Sequence, residues 1–184
     1  MLDLNKNPVP SEIEQLPVTI EEQKIISLNK FLILSVLTMG LYQIWWIFKA
    51  WRFFMQKDQL NIMPVARAIF AIFFLYPLFK KIKDYAKLQN YSKDFSASLM
   101  FLGFLFFTLL SNLPDPFWLI SLLNVVFIIP AFQALNFAKR TSNQYVVIEQ
   151  ERFNTAQIIV MIICSVFWIF MMFGLYLTLT GQLQ

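Results

Sequence analysis

The amino-acid sequence predicts an all-α fold: a polytopic helical bundle in a membrane, with four transmembrane helices and one interfacial or re-entrant helix. Hydrophobic residues make up 58% of the 184 residues and charged residues only 14%, which is a membrane composition. Four stretches of eighteen or more residues carry no charge. A helix of this length covers the hydrocarbon core of a bilayer.

These uncharged stretches place the predicted spans near residues 31–49, 96–113, 117–138 and 155–180. The second and third spans are separated only by the tight turn Leu113–Pro116, so they should form a helical hairpin. Asn154 is a good N-cap for the last helix. Residues 20–184 are therefore expected to form a single membrane-embedded domain.

The N-terminal residues 1–19 are polar and acidic, and they are expected to form a flexible tail. Thr19 and Glu22 fit the spacing of a capping box. A helix should then begin near Ile20 and run into the first span without a break.

The stretch 62–79 determines the predicted membrane topology. Ala68–Phe79 is too short to cross alone, and Pro77 should bend or end a helix. We therefore predict an interfacial or re-entrant helix, with five transmembrane helices as the alternative. An excess of Lys and Arg marks the cytoplasmic side. With four spans, twelve of the fifteen Lys and Arg residues lie on the cytoplasmic side and both termini lie outside. With five spans, eleven of them lie on the cytoplasmic side.

A packing and anchoring motif is predicted in the first span, formed by Thr38, Gly40, Tyr42, Trp45 and Trp46. Polar residues from Ser35 onward recur every three or four positions, so they should share one protein-facing side of a continuous helix. Gly40 is expected to permit close approach of a neighbouring backbone. The hydroxyls of Thr38 and Tyr42 should find partners in the membrane, and the tryptophans should fix depth.

The same motif resembles that of bacterial membrane proteins of unknown function, which carry a Thr-x-Gly-(Leu/Ile)-Tyr-x-x-Trp pattern. The similarity extends to RAIFAIFFLYPLFKKI, LPDPFWLISLL and RFNTAQI, in order and spacing. One difference is Ala66, which stands where the family has an aromatic residue before its arginine. The resemblance implies a multi-pass protein of the bacterial cytoplasmic membrane and implies no known activity.

Two further groups of side chains are candidates for contacts with lipid headgroups or with neighbouring helices. Basic residues beside the apolar stretches are expected to meet lipid headgroups or to report topology, namely Lys49, Arg52, Arg67, Lys80, Lys81, Lys83 and Lys87. Three polar residues are predicted to lie inside the membrane, Asn124, Gln133 and Asn136. Hydrogen bonds to neighbouring helices are their expected role, with a substrate path as the alternative.

The residue inventory excludes many kinds of catalytic and metal site. The chain has no histidine and only one cysteine, Cys164, so His-ligated zinc, haem, disulfides and Cys/His nucleophile pairs are ruled out. Methionines around Cys164 are interpreted as packing in preference to Cu(I) ligands. No metal or cofactor is predicted, and the small net charge of +4 does not favour nucleic-acid binding.

Three classes of function remain open. The first is a structural or accessory subunit that binds lipid, a larger membrane complex or a second copy of itself. The second is a homo-oligomeric transporter or channel component, which would need a polar path across the membrane. The third is a lipid-modifying enzyme, which would need acid, base or metal-binding groups converging at the interface. The sequence favours the first and predicts no enzyme activity.

Overall fold

The computed structural model describes residues 21–180, and these are all-α apart from one small sheet. The helices in this part of the chain are α1 Leu28–Leu37, α2 Leu41–Lys57, α3 Pro64–Ile69, α4 Ala71–Leu88, α5 Ala97–Leu109, α6 Ile129–Thr141 and α7 Thr155–Leu179. Two 3₁₀ segments, Leu110–Asn112 and Phe117–Phe127, lie between α5 and α6. The strands are β1 Gln23–Ile25 and β2 Val147–Glu149. The predicted tail 1–19 lies outside the described residues.

α1 and α2 form an antiparallel hairpin, so the single transmembrane helix predicted over 31–49 is wrong. The helix is interrupted at Met39 and Gly40, whose φ angles of 51° and 90° are left-handed and incompatible with a right-handed helix. Phe31 near the start of α1 packs against Trp46 in α2, with ring centroids 5.9 Å apart. At about 1.5 Å per residue, the ten residues of α1 cover only half of the hydrocarbon core.

Both ends of this hairpin lie at the same end of the molecule. We call this end the foot; it comprises β1, β2, α3, α4 and the C-terminal halves of α2 and α6. Arg52 in α2 bonds to Glu21, just before β1, with an N–O distance of 2.5 Å. Residues 28–57 therefore leave the foot and return to it.

The helix predicted to continue from Ile20 into the membrane is also wrong over the described residues. Gln23–Ile25 instead forms β1, which pairs in parallel with β2. Backbone hydrogen bonds of 2.9 Å extend the pairing at both ends, from Gln23 N to Val146 O and from Gln150 N to Ile25 O. The sheet thus ties the start of the described chain to the connector before α7.

A second hairpin is made by α5 and the 3₁₀ segment Phe117–Phe127, which pack along each other and then lead into α6. Trp118 Nε1 donates to a carboxylate oxygen of Asp115 in the turn, at 2.8 Å. The two arms pack tightly at Gly103, where an added Cβ would lie 2.1 Å from Cε1 of Phe127. The hairpin predicted around Leu113–Pro116 is therefore present.

Among residues 21–180, two helices are long and apolar enough to cross a membrane, not the predicted four or five. They are Phe117–Thr141 and Thr155–Leu179, each of 25 residues, and their most apolar 18-residue windows have mean hydropathies of 2.0 and 2.7. Leu28–Leu37 and Ala97–Asn112 are apolar but shorter. The difference arises because the first predicted span is broken and the second gives only a short helix.

The start of α7 was predicted correctly. Asn154 accepts a hydrogen bond from the backbone N–H of Gln157, and the Gln157 side chain accepts one from the backbone N–H of Asn154. This reciprocal pair is a capping box, which satisfies two backbone donors at the helix start.

The stretch 62–79 is not one helix that ends at Pro77. α3 stops at Ile69, and α4 begins at Ala71 and continues through Pro77 to Leu88. Pro77 lies on the exposed side of α4. The opposite face is buried in the foot and consists of Leu75, Leu78, Phe79, Ile82, Tyr85 and Ala86. Burial of several such side chains, worth about 1.5–3 kcal/mol each, outweighs a proline cost of about 3 kcal/mol.

Candidate functional site

The foot contains a cavity of about 520 Å³ between α2, β1, α6 and the connector that leads into α7. Its wall is unusually polar for a chain of this composition. Four lining side chains are cationic and two are carboxylates: Lys24, Lys49, Arg52 and Lys139 against Glu21 and Glu22. A cavity of this size can hold a small molecule or a lipid headgroup.

Lys139, in the last turn of α6, is the most deeply placed cation of this cavity. Only 6% of the residue is exposed. Its Nζ donates to Oε1 of Gln23 in β1 at 2.9 Å and lies 4.4 Å from the ring centroid of Phe53. Within residues 21–180 no carboxylate is paired with this ammonium, so its charge is stabilised only by an amide oxygen and a ring face.

Lys49 and Arg52 bring two more cations to the cavity from neighbouring turns of α2. Arg52 is bonded to Glu21, whereas Lys49 Nζ lies 5.3 Å from the ring centroid of Trp45 and has no carboxylate partner among residues 21–180. Positive charge is thus concentrated on this side of the cavity.

Amide side chains complete the wall and connect the surrounding elements. Asn136 Nδ2 in α6 donates to the carbonyl of Ile26 at 3.1 Å. Gln157 Nε2 in α7 donates to the Tyr42 hydroxyl at 3.2 Å. The cavity therefore has a fixed polar frame from three parts of the chain that are distant in sequence.

Of the predicted motif, Thr38 and Gly40 lie in the turn between α1 and α2. The other three residues line the cavity, namely Tyr42, Trp45 and Trp46. Thr38 caps α1: its hydroxyl donates to Leu34 O at 2.7 Å and accepts from the backbone N–H of Tyr42 at 2.9 Å. The expectation that Gly40 permits close approach is wrong, because an added Cβ would meet only the Gln43 side chain, at 4.0 Å. Gly40 is suited to its position by its positive φ, which other residues adopt at a cost.

The two tryptophans of the motif have different environments. Trp46 is buried in the core against Phe31 and Phe132, so it is a packing residue and not a surface anchor. Trp45 is 51% exposed and lies at the edge of the cavity. Because the helix breaks at Gly40, the polar residues before and after it do not form the single continuous stripe that was predicted.

The predicted intramembrane polar residues also separate. Asn124 accepts a hydrogen bond from Gln43 Nε2 at 3.0 Å and donates to the Thr108 hydroxyl at 3.3 Å, which joins the two hairpins. Asn136 belongs to the cavity. Gln133 is half-buried on α6 and has no side-chain hydrogen bond within the described part of the chain.

The remaining predicted headgroup residues lie away from the cavity. Arg67 stacks on Trp51 and Phe74, with distances of 4.3 and 5.2 Å to the ring centroids. The carboxylate of Asp58 is bonded to Lys57 and Lys81, at 2.9 and 2.7 Å.

Three basic side chains of α4 remain. Lys83 and Lys87 pair with Asp94, at 2.9 and 3.6 Å. Lys80 is exposed. Within residues 21–180, α4 therefore has both paired lysines and an exposed lysine without an ion pair.

Sequence reasoning missed Lys139, Gln23 and Gln157 as members of one site. Lys139 was counted only as a marker of topology. A usable signal was present, since Asn136 and Lys139 are three residues apart and therefore share a face of the helix that follows a long apolar stretch. The strand that brings Gln23 to this face had no comparable signal.

No family model, curated protein or solved structure matches the chain.

Proposed function

We propose that this chain is a multi-pass protein of the bacterial cytoplasmic membrane, a structural or accessory subunit that contacts lipid and a membrane partner. The observation that carries the proposal is α7, whose most apolar 18-residue window has a mean hydropathy of 2.7 and whose 25 residues include no buried residue. One side of α7 packs on α1, where Trp168 Nε1 donates to the Leu37 carbonyl at 2.9 Å. The rest of this apolar surface is exposed and needs lipid or another apolar protein surface around it.

In the arrangement that we propose, α7 and Phe117–Thr141 cross the membrane, and α5 forms the other arm of the second hairpin. The α1–α2 hairpin enters the membrane from the foot and returns. No Lys or Arg lies between Lys93 and Lys139 or after Arg152, so the positive charge is concentrated in the foot. An excess of positive charge favours the cytoplasmic side. The foot, with Glu21, then faces the cytoplasm, in contrast to the outside N-terminus expected from sequence.

Two features favour an accessory role over transport or catalysis. The polar side chains deep in the bundle, Gln43, Asn124 and Thr108, bond to one another, which argues against a free polar path through this region. In the cavity, the carboxylate of Glu21 is held by Arg52 and is poorly placed to act as a general base.

The proposal is tested by purifying the full-length chain from its native membrane in mild detergent and quantifying co-purified protein and lipid. We expect resistance to alkaline carbonate extraction and a stoichiometric protein partner. Phe170, exposed on α7, and Phe106, exposed on α5, offer matched positions. Phe170→Ala should reduce recovery of the partner more than Phe106→Ala. A chain released by carbonate, or recovered without any protein partner, would contradict the proposal.

A further inference from the structure

We propose that the cavity of the foot binds a phosphate-bearing anion, either the headgroup of an anionic phospholipid or a soluble phosphate ester. The first observation is Lys139, which is 6% exposed and lines the cavity. An ammonium group has three donors. Within residues 21–180 only one of them has a partner, the amide oxygen of Gln23.

A buried charge is costly unless it is paired. Removing an ammonium group from water costs several kcal/mol even after relaxation, and proteins normally offset this cost with a nearby opposite charge. Within residues 21–180, the carboxylate of Glu21 pairs with Arg52, and no carboxylate pairs with Lys139. An anion inside the cavity would supply the missing opposite charge.

The other cations of the cavity favour a phosphate over a carboxylate. Lys49 and Lys139 approach from α2 and α6, and each lies against a ring face, of Trp45 and Phe53 respectively. Arg52 lines the same space and has a planar fork of donors that suits phosphate oxygens. The ammonium groups of Lys49 and Lys139, with the donors of Arg52 that Glu21 leaves free, match the several anionic oxygens of a phosphate group better than the two of a carboxylate.

The volume and the position of the cavity indicate a ligand larger than the phosphate itself. About 520 Å³ leaves room for an attached glycerol or sugar group, and Asn136 and Gln157 place amides in the wall for its hydroxyls. Trp45, half exposed at the edge, is a residue type common at headgroup level. The lipid form of this inference rests on the proposed function, because it needs the foot at the membrane surface.

The test uses the full-length chain in phosphatidylcholine nanodiscs. Native mass spectrometry measures retention of added phosphatidylglycerol, and calorimetric titration measures binding of glycerol 3-phosphate and inorganic phosphate. Lys139→Gln removes the buried charge and can keep a hydrogen bond to Gln23. Lys93→Gln is the matched control, because it removes the same charge from an exposed position outside the cavity. Lys49→Gln tests the same cavity if Lys139→Gln does not fold.

We expect Lys139→Gln to lower affinity roughly tenfold or more and Lys93→Gln to change it little. Retention of phosphatidylglycerol without binding of either soluble probe identifies a lipid headgroup, and the reverse identifies a soluble phosphate ester. Equal losses in both variants would indicate general electrostatic attraction and overturn the inference. Absence of binding to every probe by a wild-type chain that resists carbonate extraction would overturn it as well, while leaving the membrane proposal intact.

Discussion

The ring of Phe127 lies directly against the backbone of Gly103, so that a Cβ at Gly103 would be 2.1 Å from the ring. At this position α5 and the 3₁₀ segment Phe117–Phe127 are in tight contact. Small residues allow such close approach of helices in membranes, where van der Waals packing drives association. Gly103 therefore has the role that the sequence had suggested for Gly40.

Gly103→Ala should destabilise the protein, because the added methyl group forces the ring of Phe127 or the backbone to move. Overpacking of this kind costs about 1–3 kcal/mol. Gly174→Ala is the matched control, since a Cβ there meets no atom within 4 Å. Thermal unfolding in detergent should show a lower midpoint for Gly103→Ala alone. Equal midpoints for the two variants would show that the hairpin arms are not packed in this way.

The turn at Gly40 should respond to backbone conformation and not to side-chain size. Gly40 has a φ of 90°, and forcing another residue into this region costs roughly 1 kcal/mol or more. Gly40→Ala and Gly40→Leu should therefore destabilise the protein by similar amounts in the same unfolding assay. A much larger loss for Gly40→Leu would mean that a neighbouring backbone does pack against this position.

The hydrogen bonds of Asn124 should stabilise the contact between the two hairpins. Asn124→Ala leaves the buried amide of Gln43 without its partner, at a cost of about 1 kcal/mol. Gln133→Ala is the control. Gln133 lies with Asn124 in Phe117–Thr141, and its amide has no side-chain hydrogen bond within residues 21–180. A double-mutant cycle between Gln43 and Asn124 should show coupling. Additive effects would exclude this bond as a source of stability.

The protein should lose stability at acidic pH because Asp58, which lies between α2 and α3, becomes protonated. Burial alone would raise the pKa of Asp58, but hydrogen bonds from Lys81 and Lys57, together with their charges, hold it below the ordinary value. Because the folded pKa is depressed, the stabilisation is present above the unfolded pKa of about 4 and is lost as pH falls through the folded value.

Unfolding midpoints of wild type, Asp58→Asn and Asp84→Asn at neutral pH and near pH 3 test this prediction. Asp84 is exposed and has no ion pair in the described chain, so its variant should retain the wild-type pH response. Asp58→Asn should be less stable at neutral pH and lose less on acidification. A variant with the full wild-type response would assign the acid sensitivity to other groups.

The features that followed from local pattern were predicted well from sequence. The tight turn at Leu113–Pro116 and the cap at Asn154 depend on residues close together in the chain, and both are present. The long apolar stretch of α7 needs no partner to be recognised.

The features that depend on distant contacts or on backbone conformation were not predicted. Counting uncharged residues cannot detect the left-handed pair Met39 and Gly40, which converts a span into a hairpin. Each strand has only three residues, too few for a periodic pattern, and its partner lies in a distant connector. The burial of Lys139 follows from that pairing, because β1 carries Gln23 to it.

In the proposed arrangement, residues 28–57 enter the membrane and return to the face that they left. Glu22 and Asn61 flank this stretch and are exposed, and Asn112 is exposed at the far hairpin. In a Cys164→Ser background, Glu22→Cys, Asn61→Cys and Asn112→Cys can each be labelled with a membrane-impermeant maleimide, before and after permeabilisation of the cells. We predict immediate labelling of Asn112→Cys and labelling of both Glu22→Cys and Asn61→Cys only after permeabilisation. Labelling of Glu22→Cys and Asn61→Cys from opposite sides would mean that residues 28–57 cross the membrane once and do not return.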